Sequence, residues 1–181
     1  MKKVIIGFLA IGLLTSACST FNGNKAIKTP FTGGSYESNR RFFRSVASGE
    51  SVNLETAKSK AILTATQRLA TSVQTEIKTV TENYQNERNI GGNLGDFGER
   101  FQQLTREVMS TKIMGASIHG EKVFQQKDKT YQVWIAMELR KRELYKRLKQ
   151  QAQSDKKLSD AQRKVVSEMI DKQIDDLDDK D

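Results

Sequence analysis

The sequence predicts an α+β fold in which a small three-stranded antiparallel sheet packs on a long helix, with additional helices at the C-terminal end. Three observations lead to this prediction. One stretch repeats apolar side chains at helical spacing, later stretches alternate apolar and polar residues as strands do, and helical spacing returns after residue 141. A chain of 181 residues, 36% hydrophobic and 29% charged, is long enough for one domain with a core.

Residues 1–17 predict a secretion signal. Lys2 and Lys3 precede an apolar run, Val4 to Leu14, of 11 residues, whereas a membrane-spanning helix needs roughly 20. The run is followed by Leu14-Thr15-Ser16-Ala17-Cys18, which resembles the lipobox of bacterial lipoproteins, although the leucine stands four rather than three positions before the cysteine. The resemblance implies cleavage between Ala17 and Cys18 and attachment of lipid to Cys18. Ordinary cleavage that leaves Cys18 unmodified is the alternative.

Cysteine count and charge limit the chemistry of the mature chain. Cys18 is the only cysteine, so the folded part can hold neither a disulfide nor a thiolate metal site. Removal of Lys2 and Lys3 with the signal leaves 28 basic and 22 acidic residues, a formal charge of +6. Nucleic acid is not expected as a partner, because the chain is exported and aromatic residues do not interleave with the basic runs. No cofactor is predicted.

The mature chain begins with a predicted tether and a first strand. Residues 18–38 are polar and rich in glycine and asparagine, which is typical of a flexible linker. Residues 39–141 are predicted to form the α+β lipoprotein domain, and its first strand covers residues 41–48, where Phe42, Phe43 and Val46 supply strand-forming side chains.

A long helix is predicted from Leu54 to Tyr84, because Asn53 is a good N-cap and apolar residues then recur in steps of three and four. The first half of this apolar stripe is mostly alanine, which favours close approach to a sheet. The second half carries larger residues and is expected to pair with another helix, predicted to run to about Met109. Asp96 and Glu99 resemble the capping box of that helix.

A hairpin and two further helices complete the prediction. Alternation from Met114 to Phe124, a turn at residues 126–129 and clear alternation from Tyr131 to Leu139 predict the second and third strands. Residues 142–181 are predicted as a helical extension, with helices over about residues 142–153 and 159–177.

Three segments resemble the Lpp-twenty family of bacterial lipoproteins and the related N-terminal domain of the flagellar assembly protein T. They are Val46 to Glu50, Ala57 to Ala70 with the run AILTATQRLA, and the hairpin from Gly115 to Leu139 with TYQVW. The resemblance covers roughly residues 40–145 and leaves the tail after Arg142 unexplained. It implies an envelope protein of this fold type and no catalytic residues.

The candidate contact surface consists of Trp134, Arg140 and Arg142. Trp134 lies on the polar face of the third strand, where it either marks a contact surface or is covered by the C-terminal helices. Arg140 and Arg142 belong to a basic run near the sheet edge, which faces anionic lipid headgroups or pairs with the acidic tail. Further basic residues are Arg40, Arg41 and Arg44 in one cluster, and Lys141, Lys146, Arg147 and Lys149 in the other.

The sequence therefore predicts a membrane-anchored envelope lipoprotein, in the outer membrane rather than the inner, that acts as a non-enzymatic binding or structural module in protein assembly. Its expected partners are the membrane, through lipid on Cys18, and a protein partner or a second copy. The alternative is an anchored small-ligand-binding protein or hydrolase with a site beneath the sheet. His119 is the only histidine, so a metal site is not predicted.

Overall fold

The computed structural model describes residues 29–88, 95–110 and 115–178. Its three strands are β1 (Phe42–Ser51), β2 (Ala116–Gln125) and β3 (Tyr131–Arg140). Its α-helices are α1 (Leu54–Arg88), α2 (Gly95–Ser110), α3 (Lys141–Ser154) and α4 (Asp160–Asp178), and a short 3-10 helix covers Gly34–Tyr36. The predicted α+β fold is confirmed. Ala17 and Cys18 lie outside the described residues.

The sheet has the strand order β1-β3-β2, and both pairs of neighbours are antiparallel. β2 and β3 form the predicted hairpin, in which Lys129 takes a positive φ of 66° and Gln126 donates its N–H to the Thr130 carbonyl oxygen. β1 pairs with β3 along its whole length, from Phe42 opposite Arg140 to Ser51 opposite Tyr131. The last strand in the sequence is thus the central strand of the sheet.

The first half of α1 lies across one face of the sheet, as predicted. A core of small and branched residues fills the contact, and its members are Ala47, Ala57, Ala61, Ala65, Val133, Ile135 and Met137. The two backbones lie very close at Gly49, where an added Cβ would lie 2.3 Å from the Ala57 carbonyl oxygen and 2.6 Å from the Ala61 nitrogen. Only glycine allows β1 to pass the helix at this distance.

The second half of α1 packs against helices. α2 and α4 contact it and α3 packs on α2 and α4, so that large side chains from all four helices meet in one core with the ends of β1 and β3. Fully buried members include Phe43, Leu69, Val73, Ile77, Phe97, Phe101, Leu148 and Met169. Leu148 and the partly buried Val165 of the C-terminal helices thus lie in the helical core.

The other face of the sheet carries the chain that leads into β1. Within residues 29–38, Phe31 packs against Gly120 of β2, where an added Cβ would lie 2.6 Å from the Phe31 ring. The Tyr36 ring lies 5.5 Å from the His119 ring. The described part of the segment predicted as a tether therefore contacts the sheet.

Candidate functional site

Three aromatic rings meet on the sheet face opposite α1. Phe31 and Tyr36 lie 5.0 Å apart between ring centroids, and Tyr36 also contacts His119. The Lys122 ammonium group lies 5.5 Å from the Phe31 ring centroid, close enough for a favourable interaction with the ring. We call Phe31, Tyr36 and His119 the aromatic cluster. It holds residues 29–38 on the sheet.

A bulge in β2 places His119 beside a carboxylate. The register passes from Ile118 opposite Met137 to Gly120 opposite Ala136, so His119 is the extra residue. Its Nδ1 lies 3.6 Å from Glu138 Oε2, beyond ordinary hydrogen-bond length.

Glu138 contacts an arginine as well as His119. The Arg44 Nε donates to the same Glu138 oxygen at 3.2 Å, and the Arg44 guanidinium lies 4.8 Å from the Phe42 ring centroid. Within the residues that the structure describes, no hydrogen bond joins the His119 imidazole to a hydroxyl or thiol. The arrangement thus pairs charged groups. Within the described residues, His119 has no hydroxyl or thiol hydrogen-bonded to it that it could activate as a nucleophile.

The two arginine clusters of the sequence meet at one end of the sheet. Phe42 is the register partner of Arg140, and the Lys141 N–H donates to the Arg41 carbonyl oxygen at 2.9 Å. The result is a groove of about 250 Å³, which we call the arginine groove. Its lining residues are Arg41, Phe42, Arg140, Arg142, Leu177 and Asp178.

The end of α4 supplies acidic and carbonyl partners to this groove. Arg142 forms an ion pair of 2.7 Å with Asp178, and Arg40 donates to the Leu177 carbonyl oxygen at 2.6 Å. Farther along α3, Lys149 pairs with Asp171 at 2.6 Å. The acidic C-terminal segment therefore offsets part of the basic charge, as one of the two sequence-based alternatives predicts.

Lys141 does not belong to the basic surface, contrary to the sequence-based grouping. It is buried at the start of α3, where its ammonium group pairs with Glu76 Oε2 and lies 4.6 Å from the Phe43 ring centroid. The Tyr145 hydroxyl donates to Glu76 Oε1 at 2.7 Å. Burial, with the nearby Glu76 charge, raises the pKa of Tyr145 above its usual range. These three polar groups join α3 to α1.

The predicted contact surface is not one surface. Trp134 lies in the middle of β3, half-buried, with Ser48 and Lys122 as its register neighbours. Arg140 lies six residues farther along the strand, about 20 Å away at the rise of an extended strand, and lines the arginine groove with Arg142. The aromatic cluster lies between them. Trp134 and the two arginines thus lie at separate positions and do not form one contact surface.

The alanine-rich core fills the space between α1 and the sheet. A second groove, of about 230 Å³, lies between α1 and α2 and is lined by amide, hydroxyl and basic side chains. Its residues are Gln74, Thr75, Ile77, Lys78, Gln102, Thr105 and Arg106. Residues 29–88, 95–110 and 115–178 contain no group of three or more potential metal ligands.

Sequence reasoning missed the aromatic cluster and the Glu76 contacts. Gly120 inside an otherwise regular strand is the one available signal for the first, because a glycine there often marks a close approach. No local signal points to the second, since Glu76 and Lys141 are 65 positions apart.

Comparison with known proteins gives no relatives: no family model, curated protein or solved structure matches this chain. Among the described helices, none combines the length and apolar character that a bilayer crossing requires.

Proposed function

We propose that this chain is a bacterial envelope lipoprotein, anchored through lipid on Cys18, whose α+β domain acts as a non-enzymatic binding module. The proposal depends above all on the order of Lys2 and Lys3, a short apolar run, small residues and then a single cysteine. Two or more acyl chains on that cysteine would make anchoring effectively permanent, because one chain alone binds a membrane only marginally. The outer membrane is the proposed location.

The character of the described surface supports a binding role. The face of the sheet toward α1 is packed with side chains, and the opposite face carries aromatic rings, Trp134 and paired charges. Such a surface suits contact with another protein more than conversion of a small substrate. The alternative, a ligand or hydrolase site beneath the sheet, gains no support because the alanine-rich core occupies that space.

The anchor is tested by producing the full chain in a bacterium fed with an alkyne-labelled fatty acid. We expect the label on the protein, a mature N-terminus at Cys18 and recovery in the membrane fraction, while Cys18→Ser abolishes the label. The matched control Ser16→Ala keeps the cysteine and a small residue before it, and it should be labelled like the wild type. A mature protein with a free thiol at Cys18, or one that begins at Met1, contradicts the proposal.

The binding role is tested separately by cross-linking in intact envelopes, followed by mild detergent extraction and mass spectrometry. We expect a protein partner or a multimer of this chain. Recovery of the monomer alone, at cross-linker levels that capture known envelope complexes, contradicts a binding module.

A further inference from the structure

The two edges of the sheet differ, and the β1 edge is largely capped. Six of its backbone groups that turn away from β3 find partners on residues 38–39 or on α1. Asn39 bonds both the N–H and the carbonyl of Phe42, and the Ser38 hydroxyl does the same for Arg44. Arg68 donates to the Val46 carbonyl and Lys60 to that of Glu50. Capping of this kind prevents another strand from adding to β1.

The described residues provide no such caps for the β2 edge. Within the described part of the chain, no side chain or backbone group bonds the outer edge of β2. Three of the exposed large apolar residues also lie on this strand, since Ile118, Val123 and Phe124 are each 45% exposed. An open strand edge with exposed apolar residues is a template for pairing with another strand.

The regular part of this edge is short. The bulge at His119 interrupts the strand, and bulges restrict edge pairing. Beyond Gly120 the pairing with β3 continues without a shift to Gln125. Any added strand therefore pairs with residues 121–125, and its contacts are limited to those five positions.

The hairpin fixes which groups of this stretch face outward. Gln126 donates its N–H to the Thr130 carbonyl oxygen at 2.8 Å. Residues of an antiparallel strand alternately face the partner strand and face away from it, so every second residue before Gln126 bonds toward β3. The residues between them turn their N–H and C=O groups outward, and these are Glu121, Val123 and Gln125.

We propose that a second copy of this chain adds its β2 to this edge, antiparallel, so that the two Val123 residues face each other on a two-fold axis. In this register the outward residues of the two strands meet, because Val123 pairs with its own copy and Glu121 pairs with Gln125. The result is a continuous six-stranded sheet with an isologous interface. This inference rests on the proposed function, an anchored binding module, and specifies its partner as a second copy of the chain.

The side chains fit this register as well as the backbone does. Lys122 of one copy lies opposite Phe124 of the other, on the face that carries the aromatic cluster, and an ammonium group beside an exposed ring is a favourable pair. On the other face, the two half-exposed Val123 side chains cover each other. Lys58 already neutralises Glu121 through an ion pair of 2.8 Å, so no unpaired acid meets the neighbouring strand.

A short interface of this kind binds weakly in dilute solution. Anchoring both copies in one bilayer raises their effective concentration, which favours the pair without adding any contact. The proposed dimer is therefore a membrane-dependent one, and its natural test uses the full chain in its membrane.

The first test is disulfide trapping of Val123→Cys in the full chain, in isolated membranes treated with a mild oxidant. Facing residues at the axis are close enough for a disulfide, so we expect a product of twice the monomer mass. The control Val52→Cys adds a thiol at a position that is 80% exposed and lies between β1 and α1. We expect about ten-fold less product from it.

Each other outcome of the trapping experiment has a distinct meaning. Equal yields from the two variants, no product from either, or a product that contains another protein overturns the proposal. Wild-type dimer formation would instead reveal a free thiol at Cys18 and contradict the lipid anchor. The comparison is then repeated with Cys18→Ser at high protein concentration in solution, where a true interface between unanchored copies still gives more product from Val123→Cys than from Val52→Cys, so failure of the anchor and failure of the interface are distinguishable.

The second test removes one outward hydrogen-bond donor with Val123→Pro and measures the yield of chemically cross-linked dimer in isolated membranes, with the wild-type chain as the reference. Proline lacks an N–H but leaves the bonds toward β3 in place, so we expect a monomer with an unchanged melting temperature. Should this variant unfold, Val123→Lys sets two like charges against each other at the axis and should also yield a monomer. A dimer that persists in a folded variant contradicts the proposal.

Discussion

The two halves of α1 bury comparable stripes of residues in opposite ways. The N-terminal half presents Ala57, Ala61 and Ala65 to the sheet, and Gly49 passes within van der Waals contact of its backbone. The C-terminal half presents large side chains, such as Val73 and Ile77, to helices. The N-terminal half packs against the sheet because its side chains are small, whereas the C-terminal half fills its core with large side chains.

Adding and removing side-chain volume should therefore have different effects on the packing around the two halves of the helix. Close packing against alanine leaves no room for an added methyl group, so overpacking is the main risk there. In the helical core, large side chains fill the volume, and a deletion leaves a cavity whose lining loses its contacts. Deletions and additions of methyl groups therefore separate the two halves experimentally.

The largest expected effect is that of a deletion in the helical half. Ile77→Ala should lower the free energy of unfolding by about 2–5 kcal/mol, because it opens a cavity at a fully buried position. The matched deletion in the other half, Ala65→Gly, should cost only about 1 kcal/mol, the ordinary difference in helix propensity. Urea denaturation measures both. Equal losses would mean that the two cores do not differ as their side-chain sizes indicate.

An addition should reverse this order. Gly49→Ala places a Cβ 2.3 Å from the Ala57 carbonyl oxygen, so β1 or α1 must move, at a cost of about 1–3 kcal/mol. Gly98→Ala makes the same change in α2, where the nearest atom, Gln85 Nε2, lies 3.7 Å away. It should stabilise the protein by about 0.5–1 kcal/mol through helix propensity. A neutral Gly49→Ala would show that the helix can move off the sheet at little cost.

A smaller effect than that of Ile77→Ala is expected from the polar contact that Tyr145 adds to the helical half. Tyr145→Phe removes a hydrogen bond to Glu76, worth about 1.5 kcal/mol for a charged acceptor. Because folding raises the pKa of Tyr145, its contribution is present below about pH 10, where the unfolded side chain is also neutral, and declines as the pH rises further.

The pH dependence is measured as the difference between wild type and Tyr145→Phe in urea denaturation. Above about pH 10 the wild type should lose about 1.4 kcal/mol more per pH unit than the variant. Tyrosinate absorbance of the folded protein supplies the control, since one of the four tyrosines should ionise last in the wild type. Identical slopes would contradict a neutral, buried Tyr145.

Regular elements could be predicted from the sequence because their signals are local. The alternation around Val133, Ile135 and Met137 and the helical spacing of alanines after Leu54 predict the sheet face and the helix that covers it, and the structure confirms both. The change from alanine to larger residues along α1 correctly predicted two different partners. The bounds differ modestly, since β1 continues to Ser51 and α1 to Arg88.

The candidate surfaces could not be predicted in the same way, because they depend on register. Nothing near Arg41 or Arg140 indicates that β1 and β3 bring them to one groove, and nothing near Glu76 indicates Lys141. The position of Phe31 on Gly120 depends on the path of an irregular segment. The bulge at His119 likewise has no periodic signal. Trp134, Arg140 and Arg142 were grouped because they are close in the sequence. The extended strand β3 places Trp134 far from the two arginines.

The position of β3 bears on the synthesis of the chain and on its proposed export. β3, with which both edge strands pair, is the last of the three strands to leave the ribosome. Phe42 therefore has no pairing partner until Arg140, 98 residues later, has been synthesised. Until then neither edge strand has a neighbour, and pairing over so long a separation is slow. For a chain exported as proposed, this order would keep the nascent polypeptide competent for threading across the inner membrane until β3 has been made.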